Sequence, residues 1–140
     1  MIEAEVMTKK YRCIGVGIIW DRDRQHILID RRLPENELGG YWEFPGGKIE
    51  PHEDAPACIK RELMEELAIE VAVGDHLITI DHEYETLRVK LIVHHCQHLA
   101  GEPQTNACSE IRWVKVSELS QYQLPEANYE IVNALQQLSD

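Results

Sequence analysis

A glycine pair followed at once by a helix that is apolar on one side and acidic on another constrains this chain more than any other feature. Residues 46–69 read GGKIEPHEDAPACIKRELMEELAI. Asp54 suits a helix N-cap, Pro56 is tolerated only in a first turn, and residues 57–67 hold neither Gly nor Pro. A helix of about three turns is predicted there. Ile59, Leu63 and Leu67 recur at every fourth position, so this helix must lie on a core. Glu62, Glu65 and Glu66 stand at i, i+3 and i+4 on another side. Like charges at i, i+4 cost a few tenths of a kcal/mol, so the Glu62/Glu66 pair is unfavourable unless a cation sits there. Most Glu-rich helix faces are simply solvated. Here the acids follow a glycine turn, and hard oxygen donors at this density suit Mg²⁺ or Mn²⁺.

The rest of the chain reads as strands around two helices. Residues 11–20 are rich in Ile and Val, and a polar turn at 21–25 leads to a second strand at 26–31. A polar loop, 32–40, ends in Gly39-Gly40 and delivers a short aromatic strand at 41–44. Residues 71–84, 87–97 and 111–116 have strand character, with a loop at 101–109. Pro125 opens a closing helix in which Ile131, Val132, Leu135 and Leu138 have helical spacing. The expected architecture is a layered α/β sandwich, and 140 residues suffice for one domain, 1–140. A formal net charge of −11 argues against nucleic acid polymers and anionic membranes as partners, so a phosphate substrate needs a cation or local arginines. Cys13, Cys58, Cys96 and Cys108 form no C-x-x-C pair, Cys13, Cys58 and Cys96 read as buried free thiols, and no disulfide framework is expected. No signal peptide or bilayer-length apolar run is seen, which points to a soluble cytoplasmic protein, expected to be a monomer or weak dimer. His94-His95-Cys96-Gln97-His98 invites a zinc reading, but alternation along a strand splits its side chains between two faces.

Over Gly47–Ile69 the spacing of Gly47, Glu53, Arg61-Glu62-Leu63, Glu65-Glu66 and Ile69 resembles the signature of the Nudix hydrolases at every defined position but one. Where the family has Gly this chain has Ala68, which puts left-handed geometry at the helix C-terminus in question and removes no ligand. The resemblance implies an α/β/α sandwich with a mixed central sheet. It also implies Mg²⁺, with Mn²⁺ as a substitute, held by the Gly46 carbonyl and by Glu62, Glu65 and Glu66. Glu62 is the leading candidate to activate water, although the sequence does not choose among the glutamates. In the family Glu53 pairs with Arg61, which implies that Arg61 organises the catalytic site and that Glu53 is an organiser or an outer metal ligand; an exposed Arg61–Glu65 pair is the structural alternative. MutT-like members bring a further acid from a position six residues before a late Trp, and here that position is Ala107, before Trp113. Glu110 is the acid left nearby.

The resemblance to MutT-like members extends over nearly the whole chain, through Arg31-Arg32, the WEFPGGKIE run, Glu83-Tyr84-Glu85 with Arg88, Gly101-Glu102-Pro103 and Leu124–Asn128. It implies a small-molecule nucleoside triphosphate as substrate, hydrolysed to a monophosphate and pyrophosphate. The 8-oxo-dGTP of the nucleotide pool is the leading candidate, in a role in mutation avoidance. CTP, another pyrimidine or a broader set of triphosphates is the alternative. Asn128 then reads the base, with helix capping its structural alternative, and Arg32 and Arg88 contact nucleotide. A non-catalytic nucleotide-binding module is a further alternative, but it has no need of crowded acids. The start at Met1 and the acidic charge favour an independent chain over a domain of a longer DNA repair enzyme.

Overall fold

The computed structural model describes residues 9–138. Seven strands, β1 Lys10–Trp20, β2 Ile27–Arg31, β3 Trp42–Glu43, β4 Gly46–Lys48, β5 Glu70–Glu83, β6 Leu87–Ala100 and β7 Glu110–Val114, form one sheet. Its path is β3-β2-β1-β6-β5, with β4 added to β1 and β7 to β2. β1 and β6 run parallel, with Ile14 opposite Leu91, while the other pairs are antiparallel, so the sheet is mixed as expected.

Period-2 alternation in the strands divides the core between two faces. Val16, Ile18, Ile27, Ile29, Leu91 and Val93 point to one, where they meet Ile131, Val132 and Leu135 of helix α2, Tyr129–Leu138. Ile19, Leu28 and Cys96 point to the other, where Ile59, Leu63 and Leu67 of helix α1, Ala55–Leu67, cover them. The apolar stripe thus lies on the sheet as its spacing requires, and the two helices make the outer layers of an α/β/α sandwich.

The ends of α1 repay a closer look. Asp54 caps it, accepting from the Ala57 N–H at 2.9 Å, and Pro56 lies in its first turn. Ala68 terminates it at φ 59°, ψ 35°, in the left-handed region, and its N–H turns back to the carbonyls of Leu63 and Met64. The helix therefore ends in the geometry a glycine would take, at a strain cost of about 1 kcal/mol for a Cβ-bearing residue.

Three local expectations differ from the structure. The strand expected at 111–116 ends at Val114, and Val116 opens a 3-10 helix, Val116–Gln121. Gly46 and Gly47 are not a free turn but form β4, opposite Val16 and Gly15 of β1. Pro125 is followed first by a short 3-10 turn, Glu126–Asn128, and α2 starts at Tyr129. The cysteines are free, with Cys58, Cys96 and Cys108 buried. No helix of the described residues is long and apolar enough to cross a membrane.

Candidate active site

The site is built where α1 crosses β4. A Cβ on Gly47 would collide with the Glu62 side chain, so glycine there lets the helix carboxylate lie directly against the strand backbone. Cys58 Sγ donates to the carbonyls of Gly47 and Lys48 at 3.3 and 3.4 Å, and Arg61 Nη2 donates to the Lys48 carbonyl at 3.2 Å. These bonds fasten helix to strand around Glu62.

Arg61 is the hub of the charges. Its Nε donates to Glu53 Oε2 at 3.0 Å, its Nη1 donates to Glu65 Oε1 at 2.9 Å, and Glu62 Oε2 lies 3.4 Å from Nη1. Both arrangements expected for Arg61 coexist: it pairs with Glu53 and with Glu65. Glu53 also accepts from the Glu50 N–H, and its carboxylate is nearly covered. Hydrogen bonding to Arg61 holds the Glu53 carboxyl down at about 2. Glu53 is thus aimed at the arginine and the loop backbone at the entry to the helix.

Glu66 and Glu62 have the opposite environment. Burial, reinforced by Glu62 and Glu43, pushes Glu66 up to about 7, and burial raises Glu62 as well. Two acids that the sequence reading passed over complete the group. Glu43 stands on β3 opposite Asp30 on β2, and Arg32 Nη1 donates to Glu43 Oε1 at 2.8 Å. Asp30 is 7 % exposed, its Oδ1 has no hydrogen-bond partner, and burial next to Glu43 and Glu66 raises it to about 8. Both had a signal in the chain: Asp30 interrupts an apolar strand, and Glu43 is a charge between two aromatic residues.

Among the described residues, no three acid, His or Cys side chains converge closely enough to hold an ion as they stand. The donors nonetheless suit a hard divalent cation. They are carboxylates beside a strand backbone, several are raised by burial and then by one another's charge, and one buried oxygen is orphaned.

A family model described as NUDIX domain matches residues 15–134, and the signature acids lie together on α1 over β4. The chain belongs to the Nudix hydrolases. It is 32% identical over 123 residues to the CTP pyrophosphohydrolase of Escherichia coli K12, covering 88% of this chain and 90% of that protein. It is 30% identical over 129 residues to the 8-oxo-dGTP diphosphatase of Haemophilus influenzae, covering 92% and 94%. A solved MutT structure from work on Aliivibrio salmonicida and Vibrio cholerae superposes with a TM-score of 0.67 at 32% identity, covering 91% of this chain and 99% of that one.

The remaining candidate residues of this Nudix hydrolase lie away from α1. Arg32 is bound to Glu43 and to the Glu37 carbonyl at 2.7 Å. Arg88, at the start of β6, is exposed, stacks over the Tyr11 ring and lies 3.9 Å from Asp81. Asn128 is half-buried in the 3-10 turn that the Tyr84 hydroxyl holds by accepting from the Ala127 N–H at 3.1 Å. Its side-chain carboxamide has no hydrogen-bond partner among the described residues and makes no cap for α2. Glu110 is occupied by Arg31 at 2.9 Å and Arg112 at 3.3 Å. A cavity of about 600 Å³ beside the β5–β6 turn is lined by Lys9, Lys10, Arg12, Glu37, Glu85, Thr86 and Leu87. The histidine run disperses: His95 accepts from Trp20 Nε1, His94 meets Gly74 and His76, and His98 meets Gly101 and Trp113.

Proposed function

We propose that this Nudix hydrolase is a Mg²⁺-dependent nucleoside triphosphate pyrophosphohydrolase that converts 8-oxo-dGTP and water to 8-oxo-dGMP and pyrophosphate. It would cleanse the cytoplasmic nucleotide pool and so avoid mutation, acting as a monomer or weak dimer. The Gly46 carbonyl and Glu62, Glu65 and Glu66 would hold the metal, with Mn²⁺ a possible substitute. Bound there, the cation neutralises charge on the diphosphate that would otherwise repel the incoming water.

The chain's own residues supply the remaining chemistry. Glu62, raised by burial and pressed against Gly47, accepts the proton of the attacking water. The water oxygen bonds to the β-phosphorus as the bond from that phosphorus to the α–β bridging oxygen breaks, releasing the monophosphate. Arg61 and Glu53 keep the helix entry in place for this, and Arg32 and Arg88 offer positive charge to the nucleotide.

The observation that carries the choice of base is the free carboxamide of Asn128 on a turn held by Tyr84. A carboxamide donates and accepts together, so it pairs with O6 and a neighbouring ring position of an oxidised purine. Hydrolysis of CTP is the second reading, favoured by the Escherichia coli relative of that name. Steady-state kinetics of Asn128→Ala separates them: KM for 8-oxo-dGTP should rise sharply while slow hydrolysis of ordinary triphosphates is nearly unchanged. Equal losses on both would remove the base-reading role. Pyrophosphate release should vanish in Glu62→Gln, and full activity there would mean the site is misassigned.

A further inference from the structure

The acids around α1 and β2 are unequally compensated. Glu53, Glu62 and Glu65 share Arg61, Glu43 has Arg32, and Glu110 has Arg31 and Arg112. Asp30 and Glu66 have no cationic partner within hydrogen-bond reach among the described residues. Glu66 already stands among the expected metal ligands. Asp30 does not: it comes from strand β2, is more than nine-tenths buried, and keeps one oxygen without any partner. A buried carboxyl oxygen is seldom left in such a place unless something not yet counted meets it.

Position on the sheet says what that is. Asp30 follows Leu28, two residues back, onto the face covered by α1, and its cross-strand neighbour is Glu43. Glu43 and Glu66 are the two charges felt most at Asp30, so acids from β2, β3 and α1 act on one another on this face of the sheet. Arg32 is the cation felt at Asp30. Meanwhile the position from which MutT-like members bring another acid is Ala107, and Glu110 is engaged elsewhere.

We propose that Asp30 is a residue of the divalent-cation site, reaching it from beneath the helix and supplying the acid that position 107 lacks. The inference rests on the reading of the chain as cation-dependent. Its burial keeps Asp30 from the substrate, so it acts on the ion and on Glu66 alone.

The test is binding of Mn²⁺ to the full chain, followed by electron paramagnetic resonance of the free ion, with no substrate present. Asp30→Asn should weaken Mn²⁺ about 10- to 100-fold, the range that supporting ligands of metal sites command. Glu66→Gln should weaken it too. Wild-type affinity in folded Asp30→Asn, beside loss in Glu66→Gln, overturns the role of Asp30 and leaves the helix glutamates standing. Wild-type affinity in both overturns the cation site itself. Should Asp30→Asn fail to fold, the unmodified chain still decides: substoichiometric Mn²⁺ should broaden the ¹³C carboxyl signals of Asp30 and Glu66 alike. Broadening of Asp30 no greater than that of Glu130, on α2 across the sheet, overturns the proposal.

Discussion

Replacing Gly47 by Ala probes the site at its tightest point. The added Cβ would overlap Glu62 Cδ and Oε2 and stand 2.7 Å even from Cγ, where carbon atoms settle at about 3.5 to 4.0 Å, so one of the two must give by at least about 1 Å. The backbone of β4 is tied to β1 and held by Cys58 and Arg61, whereas Glu62 is a flexible side chain. The glutamate moves. With Glu62 proposed as the group that takes the proton, displacing it by at least about 1 Å should lower kcat on the order of 100-fold. Stability falls by only about 1 kcal/mol, because no buried partner is lost and the strand backbone keeps φ values open to any residue. Pyrophosphate release under saturating triphosphate gives kcat, and a thermal melt on the same preparation gives stability. Wild-type kcat in Gly47→Ala would refute the reasoning, and so would a loss that merely tracks unfolding.

Other outcomes follow from the same geometry. Ala68→Gly should stabilise the chain by about 0.5 to 1 kcal/mol, since relief of left-handed strain outweighs the looser unfolded chain; the melt should move up by about 2 to 4 °C, and a lower melting point would contradict it. Asp30→Asn should change how stability varies with pH in metal-free buffer. The folded Asp30 carboxyl titrates at about 8 against an ordinary 3.8, so between those values the folded chain holds a proton that the unfolded one has released. Wild-type stability is therefore lost as pH rises through that window, and the variant's advantage in urea melts should grow from pH 4 to pH 8; a gap independent of pH would refute the assignment.

Much of the fold was legible because its signals are local. The α1 stripe, the Asp54 cap and the β1–β2 hairpin each depend on residues within a few positions, and each stands as read. The β4 strand was hidden because Gly-Gly-Lys has no strand propensity of its own; β1 imposes it through pairing with residues 14–16. The 3-10 turn before α2 was hidden for a similar reason, since the Tyr84 hydroxyl that holds Ala127 lies 43 residues away. In the site, spacing placed Glu62, Glu65 and Glu66 on one helix, but Asp30 and Glu43 join them only through the sheet. A lone acid in a strand names no partner until register is known.

The proposed substrate is tested by kcat/KM for 8-oxo-dGTP, dGTP, CTP and the other nucleoside triphosphates, with Mg²⁺ present and pyrophosphate as the product followed. If Asn128 reads the oxidised base, 8-oxo-dGTP leads the series, with dGTP well behind it. CTP at the head of the series, or release of orthophosphate in place of pyrophosphate, would contradict it.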